Sequence, residues 1–411
     1  MNPFSALVIK DFRTYWFGSL FAMFGHRLII VAISLLIYRL TDSALSLGIV
    51  AAATAIPIMF FNFLGGIISD KYNVRRILTL LSFSISIVLV LLSFLDYTNR
   101  VEPVHVYICS IVLGILLGID FPARNSYFPK IIPEKYLRSG VSLNGATMAG
   151  SSVVVPTIGG FLISYYGSFI GILLSAIGYL VMCSSTFFLP DAKSNQENSN
   201  KLKFFFEGFN FIIKNEIFYI MILLTYLTNF FIFGYIQALP AFIDLFNGTP
   251  RELGFMFSSA GLGALSGLLT AGKVNINTNL GKKILFSASF FSFFIILVSM
   301  VGVGIIPEKI PGTQILLIFP LAIIGHFANG FYMLSTYAVI QSLVPENIRG
   351  RVMGILAIHI SLGVLGGLWV GGVGEFINIR VGVGLGPVIC IAFILYVLIF
   401  KKSVRNLQNI N

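Results

Sequence analysis

The sequence predicts an all-α membrane protein with twelve transmembrane helices in two pseudo-symmetric six-helix bundles and both termini in the cytoplasm. Of its 411 residues, 57% are hydrophobic and only 10% are charged, which is far less charge than a water-exposed surface needs. Apolar stretches of about 20 residues, long enough to cross a hydrocarbon core of about 30 Å as a helix, recur along the chain. The polar connections between them alternate between many and few basic residues.

The predicted helices are apolar stretches separated by short polar loops. The runs contain Val, Ile and Gly freely, which is normal in membrane helices because backbone hydrogen bonds must close within each segment. The first six predicted helices cover residues 13–38, 44–68, 77–95, 104–124, 138–162 and 167–189. The last six cover residues 216–240, 251–273, 284–305, 314–340, 349–374 and 380–400.

The distribution of basic residues predicts the orientation. Of the 27 Lys and Arg residues, 21 lie on the side that holds both termini, five lie in the opposite loops and Arg27 alone lies within a span. Because basic loops remain in the cytoplasm, both termini are expected there. The net charge of +11 then faces anionic lipid, and nucleic acid is not an expected partner.

A polar segment divides the chain in two. Residues 191–200 have the composition of a flexible linker, and residues 201–214 alternate Phe with charges as in an amphipathic helix on the inner membrane surface. The predicted domains are an N-terminal bundle at 1–189, a cytoplasmic linker at 190–215 and a C-terminal bundle at 216–411.

Two loops indicate an internal duplication. The residues they share are Pro133, Glu134 and Arg138 in the first loop and Pro345, Glu346 and Arg349 or Arg351 in the second. A second landmark, Leu-Gly at the start of spans 2 and 8, recurs at nearly the same distance. Two six-helix copies related by an axis along the membrane normal explain both repeats.

Small residues concentrate in four spans: glycine in spans 5, 8 and 11, and alanine in span 2. Because small side chains let helices approach closely, these spans are expected to form the surface on which the halves rock. Ordinary close packing without motion is the alternative.

The loop between spans 2 and 3 carries a candidate gating motif: Gly66, Asp70, Lys71, Arg75 and Arg76. A short turn between antiparallel helices needs a close-packed glycine, a carboxylate at the helix end and cations that can pair with it. Such a pair is expected to close when the cytoplasmic side is shut and to break when that side opens.

Residues 65–76 resemble the signature loop of the major facilitator superfamily. Asn73 replaces its second glycine, which Asn can do because it tolerates a left-handed turn, and Val74 replaces one cation. The segments 12–16, 40–44, 122–134, 156–160 and 341–352 resemble the bacterial drug- and siderophore-exporting branch, which includes macrolide-efflux-like and enterobactin-exporter-like proteins. The resemblance runs from about residue 11 to residue 400.

This resemblance implies a secondary transporter in the bacterial cytoplasmic membrane that exports an amphipathic small molecule by alternating access and proton antiport. A monomer without a cofactor or bound metal is expected. The chain departs from the branch at His26, where a carboxylate is usual, and at Val155, where a glycine is usual. Transport is therefore implied more directly than antiport.

Few ionisable residues lie within the spans, and each needs a partner or a wet cavity because a mid-bilayer charge is costly. Span 1 has His26 and Arg27, and span 4 has Asp120 with Arg124 one turn on. Asp120 is a candidate proton carrier, with Arg27 as its partner. Alternatively, Asp120 and Arg124 form a structural pair that belongs to the gating network.

The C-terminal half offers other candidates. His326 and His359 lie near mid-membrane, where an imidazole can couple to a proton gradient or simply bond a neighbouring helix. Tyr226, Asn229 and Gln237 are spaced to share one helical face, either as a cavity wall or as contacts between helices.

Aromatic residues make up 14% of the chain, which favours a broad apolar cavity and a bulky amphipathic solute. The sequence has no phosphate-binding loop and no arrangement of nucleophile, base and orienting group, so an enzyme is not expected. A facilitator or importer of a metabolite has the same fold. A membrane sensor that binds a ligand without moving it belongs to another class, and it is expected to tolerate Asp70→Asn.

Overall fold

The computed structural model describes residues 4–192, 201–273, 279–303 and 313–407, with the side chains of residues 70, 201–206 and 313 outside the description. Within these ranges the regular structure is helical, and no described residue belongs to a β-strand. The α-helices are α1 (Lys10–Thr41), α2 (Ala44–Lys71), α3 (Val74–Tyr97), α4 (Pro103–Tyr127), α5 (Glu134–Tyr166), α6 (Ser168–Phe187), α7 (Lys201–Lys214), α8 (Glu216–Leu227), α9 (Leu239–Asp244), α10 (Pro250–Ala271), α11 (Leu280–Met300), α12 (Thr313–Leu343), α13 (Glu346–Leu356), α14 (His359–Phe376), α15 (Ile379–Phe400) and α16 (Lys402–Arg405).

Among the described residues, twelve helical segments are long and apolar enough to cross a membrane. This confirms the predicted all-α fold with twelve spans, whereas the cytoplasmic position of the termini stays a prediction. Two of the twelve are interrupted. The seventh, Glu216–Asp244, joins α8 to α9 through a π-helical turn at Thr228–Ile232 and a 3-10 segment at Phe233–Ala238, and the eleventh, Glu346–Phe376, joins α13 to α14.

Short connections link successive helices. Asp42 ends α1 in the left-handed conformation with φ 48°, and Gly167, with φ 90°, is the only residue between α5 and α6. The predicted repeat loops have the same backbone geometry, because Pro133 precedes α5 with ψ 145° and Pro345 precedes α13 with ψ 143°.

The chain forms two compact units. Unit 1 contains Met1–Asp42, Ile49–Asn198 and Thr249–Ser258, and unit 2 contains Ser43–Gly48, Ser199–Gly248 and Ser259–Asn411. The predicted domain limits at 189 and 216 stay a prediction, and residues 193–200 of the predicted linker lie outside the described residues.

In unit 1, α6 packs between α1 and α3, and α1 also contacts α5. Its core includes the fully buried side chains Phe12, Tyr15, Leu78, Ile85 and Tyr127. In unit 2, α11 contacts α12 and α15, and α14 packs on the 3-10 segment. The short helix α7 packs on α13, where Glu207 accepts a hydrogen bond from Arg351.

Small residues bring particular helices into close contact inside each unit. In unit 1, a Cβ on Gly160 of α5 would lie 3.0 Å from Cα of Gly254 in α10, and Thr157 donates to Ser258 over 2.7 Å. In unit 2, a Cβ on Gly48 of α2 would lie 2.7 Å from the carbonyl oxygen of Gly367 in α14. These contacts involve the four spans in which the sequence concentrates small residues. Whether the contacts open during function stays a prediction.

Candidate functional site

A buried ion pair lies on one face of α4 in unit 1. Oδ2 of Asp120 accepts a hydrogen bond of 2.5 Å from Nε of Arg124, one helical turn further on. The two residues are only 5% and 8% exposed. Oδ1 of Asp120 and both terminal nitrogens of Arg124 are buried without a hydrogen-bond partner among the described residues. The pair is therefore enclosed but incompletely satisfied, and intramembrane ionisable groups of this kind are usually functional.

Two tyrosines enclose the pair. Tyr15 of α1 donates from its hydroxyl to the backbone carbonyl of Arg124 over 3.4 Å. Tyr179 of α6 is close enough to interact electrostatically with both Asp120 and Arg124. Both tyrosines are buried. Sequence reasoning missed them because a tyrosine within a membrane helix is common and gives no signal of its neighbours.

His26 and Arg27 of α1 are both half-buried. Nδ1 of His26 is buried without a partner among the described residues, and Arg124 is near enough to act on this imidazole. Arg27 makes no ion pair with any described residue, and the ion pair of Asp120 is with Arg124 instead. The structure thus brings His26 toward the pair and leaves Arg27 out of it.

The loop between α2 and α3 differs in detail from expectation. Gly65 makes a close contact, because a Cβ there would lie 2.8 Å from Cα of Ile119 in α4. The close packing expected of Gly66 stays a prediction. Asn73 has φ −65°, so the left-handed turn expected there is wrong. Its side chain instead caps α3 by accepting a 3.1 Å hydrogen bond from the N–H of Arg75, which requires an extended backbone.

Arg75 anchors this loop to the end of α6. Its Nε lies 2.7 Å from Oδ1 of Asp191, and its Nη1 donates to the carbonyl oxygen of Leu189 over 3.2 Å. A hydrogen bond with Asn73, assisted by the nearby Arg75 and Arg76, holds the pKa of Asp191 below its ordinary value of 3.8. The sequence placed Asp191 only at the start of a linker, so its role in the loop was missed.

The remaining members of the motif are less informative. Lys71 and Arg76 are exposed. The side chain of Asp70 lies outside the described residues, so its pairing with the loop cations stays a prediction.

The two repeat loops use their charges differently. Arg138 is exposed and forms no ion pair with a described residue, and Glu134 is also exposed. In the second loop, Arg349 lies 3.8 Å from Glu346 at the surface, whereas Arg351 pairs with Glu207 of α7. Within the part of the chain that the structure describes, the second loop therefore forms an ion pair with α7, the helix that precedes span 7.

Tyr226, Asn229 and Gln237 do not lie in one continuous α-helix, so the α-helical spacing that predicted a shared face does not apply to them. Tyr226 lies in α8, Asn229 in the π-helical turn and Gln237 in the 3-10 segment. The π turn has more residues per turn than an α-helix and the 3-10 segment has fewer, so spacing by 3.6 no longer predicts direction. Asn229 bonds its own helix at the carbonyl of Thr225 over 2.9 Å.

The break in span 11 explains the hydrogen bonds that His359 and Tyr226 form. Between α13 and α14 the regular hydrogen bonds are interrupted, which leaves carbonyl groups to be satisfied. Nδ1 of His359 donates to the carbonyl oxygen of Leu356 over 2.7 Å. The hydroxyl of Tyr226 donates over 2.5 Å to the carbonyl oxygen of Ile355, which also accepts from the N–H of Ile358. Both side chains thus stabilise the broken helix.

His326 lies in a different surrounding, a buried aromatic cage in unit 2. The ring centroids of Phe233, Tyr235 and Phe291 lie 6.1, 5.9 and 5.4 Å from that of its imidazole. Nδ1 bonds the carbonyl oxygen of Ala322 over 3.0 Å, while Nε2 and the Tyr235 hydroxyl have no partner among the described residues.

Comparison with known proteins agrees with this architecture. A family model described as Major Facilitator Superfamily matches residues 15–368 and 238–410. The chain is similar to the enterobactin exporter EntS of Shigella boydii serotype 18 (strain CDC 3083-94 / BS512), with 23% identity over 372 residues. The aligned region covers 89% of this chain and 86% of the relative.

Solved structures share the fold at low identity. A POT family transporter in complex with 5-aminolevulinic acid superposes with a TM-score of 0.75 and 13% identity over 96% of each chain. A D-xylose-proton symporter superposes with a TM-score of 0.69 and 15% identity, over 98% of this chain and 100% of the other.

Proposed function

Because this chain belongs to the major facilitator superfamily, we propose that it is a secondary active transporter that exports an amphipathic small molecule by alternating access. The substrate classes we propose are drugs, macrolide-like compounds and siderophores. Similarity to an enterobactin exporter across 89% of the chain is the observation that carries the direction of transport. The abundance of Phe and Tyr supports a bulky, partly apolar substrate.

We assign proton coupling to the Asp120–Arg124 pair. The carboxyl group of Asp120 is hydrogen-bonded to a single cation, Arg124, within the same helix. We propose that separation of these two groups during the transport cycle lets Asp120 take up a proton and that their return releases it. Exchange of that proton between the two sides of the membrane is the proposed driving step.

The proposed orientation has both termini in the cytoplasm and the protein in the bacterial cytoplasmic membrane. The excess of Lys and Arg in the loops on that side supports it. The gating motif then faces the cytoplasm, with the pair between Arg75 and Asp191 beside it. We propose that this pair and the predicted Asp70 contact hold the cytoplasmic side closed, and that the transporter works as a monomer.

Inverted membrane vesicles test export and its energy source together. Because the cytoplasmic face is outside in such vesicles, an exporter driven by proton antiport accumulates enterobactin or ethidium when the interior is acidic. An uncoupler is expected to abolish the accumulation. Uptake of the same compounds into intact cells that an uncoupler leaves unchanged would instead support a facilitator or importer on this fold.

A further inference from the structure

A groove of about 460 Å³ runs between α3 and α6 on the surface of unit 1. The two helices lie antiparallel at this place, because Thr79 near the start of α3 contacts Thr186 near the end of α6, with 2.7 Å between their hydroxyl oxygens. The groove is lined by Arg75, Arg76, Thr79, Leu80, Phe83, Leu180, Cys183, Ser184 and Phe187.

The walls of the groove are apolar and exposed. Leu80 and Phe83 follow Arg76 at spacings of four and seven residues, so these side chains share one face of α3. Leu180 and Phe187 supply the opposite wall from α6. Leu80 and Phe187 are each 66% exposed. In a membrane helix, such side chains face lipid.

The mouth of the groove is cationic. Arg75 forms an ion pair with Asp191 and donates a hydrogen bond to the carbonyl oxygen of Leu189. Arg76 is exposed and forms no ion pair with a residue whose side chain is described, although it acts on Asp191 from a greater distance. Among the side chains that the structure describes here, two guanidinium groups and one carboxylate lie at this end, which leaves a net positive charge.

We propose that this groove binds one anionic phospholipid, with its phosphate on Arg76 and an acyl chain between Leu80 and Leu180. A guanidinium offers two parallel N–H groups to a phosphate, which makes arginine well suited to this contact. The net positive charge at this end favours an anionic lipid over a zwitterionic one, because the cation of a zwitterionic headgroup offsets its phosphate. The bilayer itself supplies this ligand along the length of the groove.

Native mass spectrometry of the purified protein, given equal amounts of phosphatidylglycerol and phosphatidylcholine, tests the proposal. Wild-type protein is expected to retain phosphatidylglycerol preferentially. Arg76→Gln is expected to reduce the ratio of bound phosphatidylglycerol to phosphatidylcholine about fivefold, the effect of one basic residue at an anionic lipid surface. Ser184→Phe fills the groove and is expected to remove the retained lipid.

Arg138→Gln serves as the matched control, because it removes an exposed arginine from α5, away from the groove. Unchanged thermal unfolding of each variant confirms that it is folded. Equal retention of both lipids by the wild type would overturn the proposal. So would an equal loss with Arg138→Gln, or full retention in Ser184→Phe, since either result places the lipid elsewhere.

Discussion

Asp120 and Arg124 share one short hydrogen bond inside unit 1, yet one carboxylate oxygen and two guanidinium nitrogens of this pair have no other partner among the described residues. Replacing Asp120 by Asn leaves the Arg124 cation buried without its counter-charge. Breaking a buried ion pair from one side typically costs about 3–5 kcal/mol. We therefore expect Asp120→Asn to lower the thermal unfolding midpoint in detergent clearly.

The double variant Asp120→Asn/Arg124→Gln is the control for this prediction. It removes both charges together, so it is expected to unfold at a higher temperature than the single variant. A single variant as stable as the double variant would show that the two charges are not coupled.

The lowered pKa of Asp191 predicts that the stability of the protein depends on pH. This pKa is lowered from 3.8 in the folded protein by the hydrogen bond with Asn73 and by Arg75 and Arg76. A group with a lowered folded-state pKa stabilises the protein above its unfolded pKa and loses that effect as pH falls through the folded value. Asp191→Asn is therefore expected to lower the unfolding midpoint at neutral pH, with a difference from wild type that shrinks below pH 3.8.

The exposed Glu134 provides a comparison for Asp191, because it forms no ion pair with a described residue. Glu134→Gln is expected to change the unfolding midpoint less at neutral pH. A constant effect of Asp191→Asn at every pH would contradict the assigned ion pair.

The close contact between Gly160 and α10 predicts that a larger side chain at this position is destabilising. A Cβ at this position would lie 2.5 Å from the carbonyl oxygen of Pro250 and 3.0 Å from Cα of Gly254. Gly160→Val is therefore expected to cost about 1–3 kcal/mol through overpacking and to reduce ethidium transport. Gly150→Val in the same helix is the control, since a Cβ there meets nothing within 4 Å. Equal effects of the two variants would refute a special role for the contact.

The hydrogen bond from Tyr226 to the carbonyl oxygen of Ile355 is expected to stabilise the protein at the break in span 11. Tyr226→Phe removes the hydroxyl that donates to the carbonyl oxygen of Ile355. The expected loss of stability is about 1 kcal/mol, the usual net value of one hydrogen bond. Tyr219→Phe removes an exposed hydroxyl from the same helix and is expected to have almost no effect on the unfolding midpoint. Similar midpoints for both variants would count against the bond.

The number and approximate limits of the membrane spans follow from the sequence, because the thickness of the bilayer sets the length of the apolar stretches and basic residues concentrate in the loops between them. The pairing of Asp120 with Arg124 is also readable, since residues four apart lie on one helical face. Tertiary neighbours are different. Tyr179 joins this pair from α6, and no spacing in the sequence relates these positions.

Irregular helix geometry was not readable either. The spacing of Tyr226 and Gln237 predicts a shared face on the assumption that span 7 is a continuous α-helix, and the π-helical and 3-10 turns between them remove that assumption. In the loop after α2, Asn73 was interpreted through its tolerance of a left-handed turn, but its capping bond to Arg75 determines its conformation. At both places the local backbone conformation differs from the one that the sequence pattern predicts.

Transport into inverted vesicles by the double variant Asp120→Asn/Arg124→Gln tests the central claim most directly. This variant lacks the proposed proton carrier without leaving an unpaired buried charge. Wild-type vesicles with an acidic interior are expected to accumulate ethidium, while the folded double variant accumulates no more with the pH gradient than without it. Gradient-driven accumulation by the double variant at the wild-type level would contradict the assignment of proton coupling to this pair.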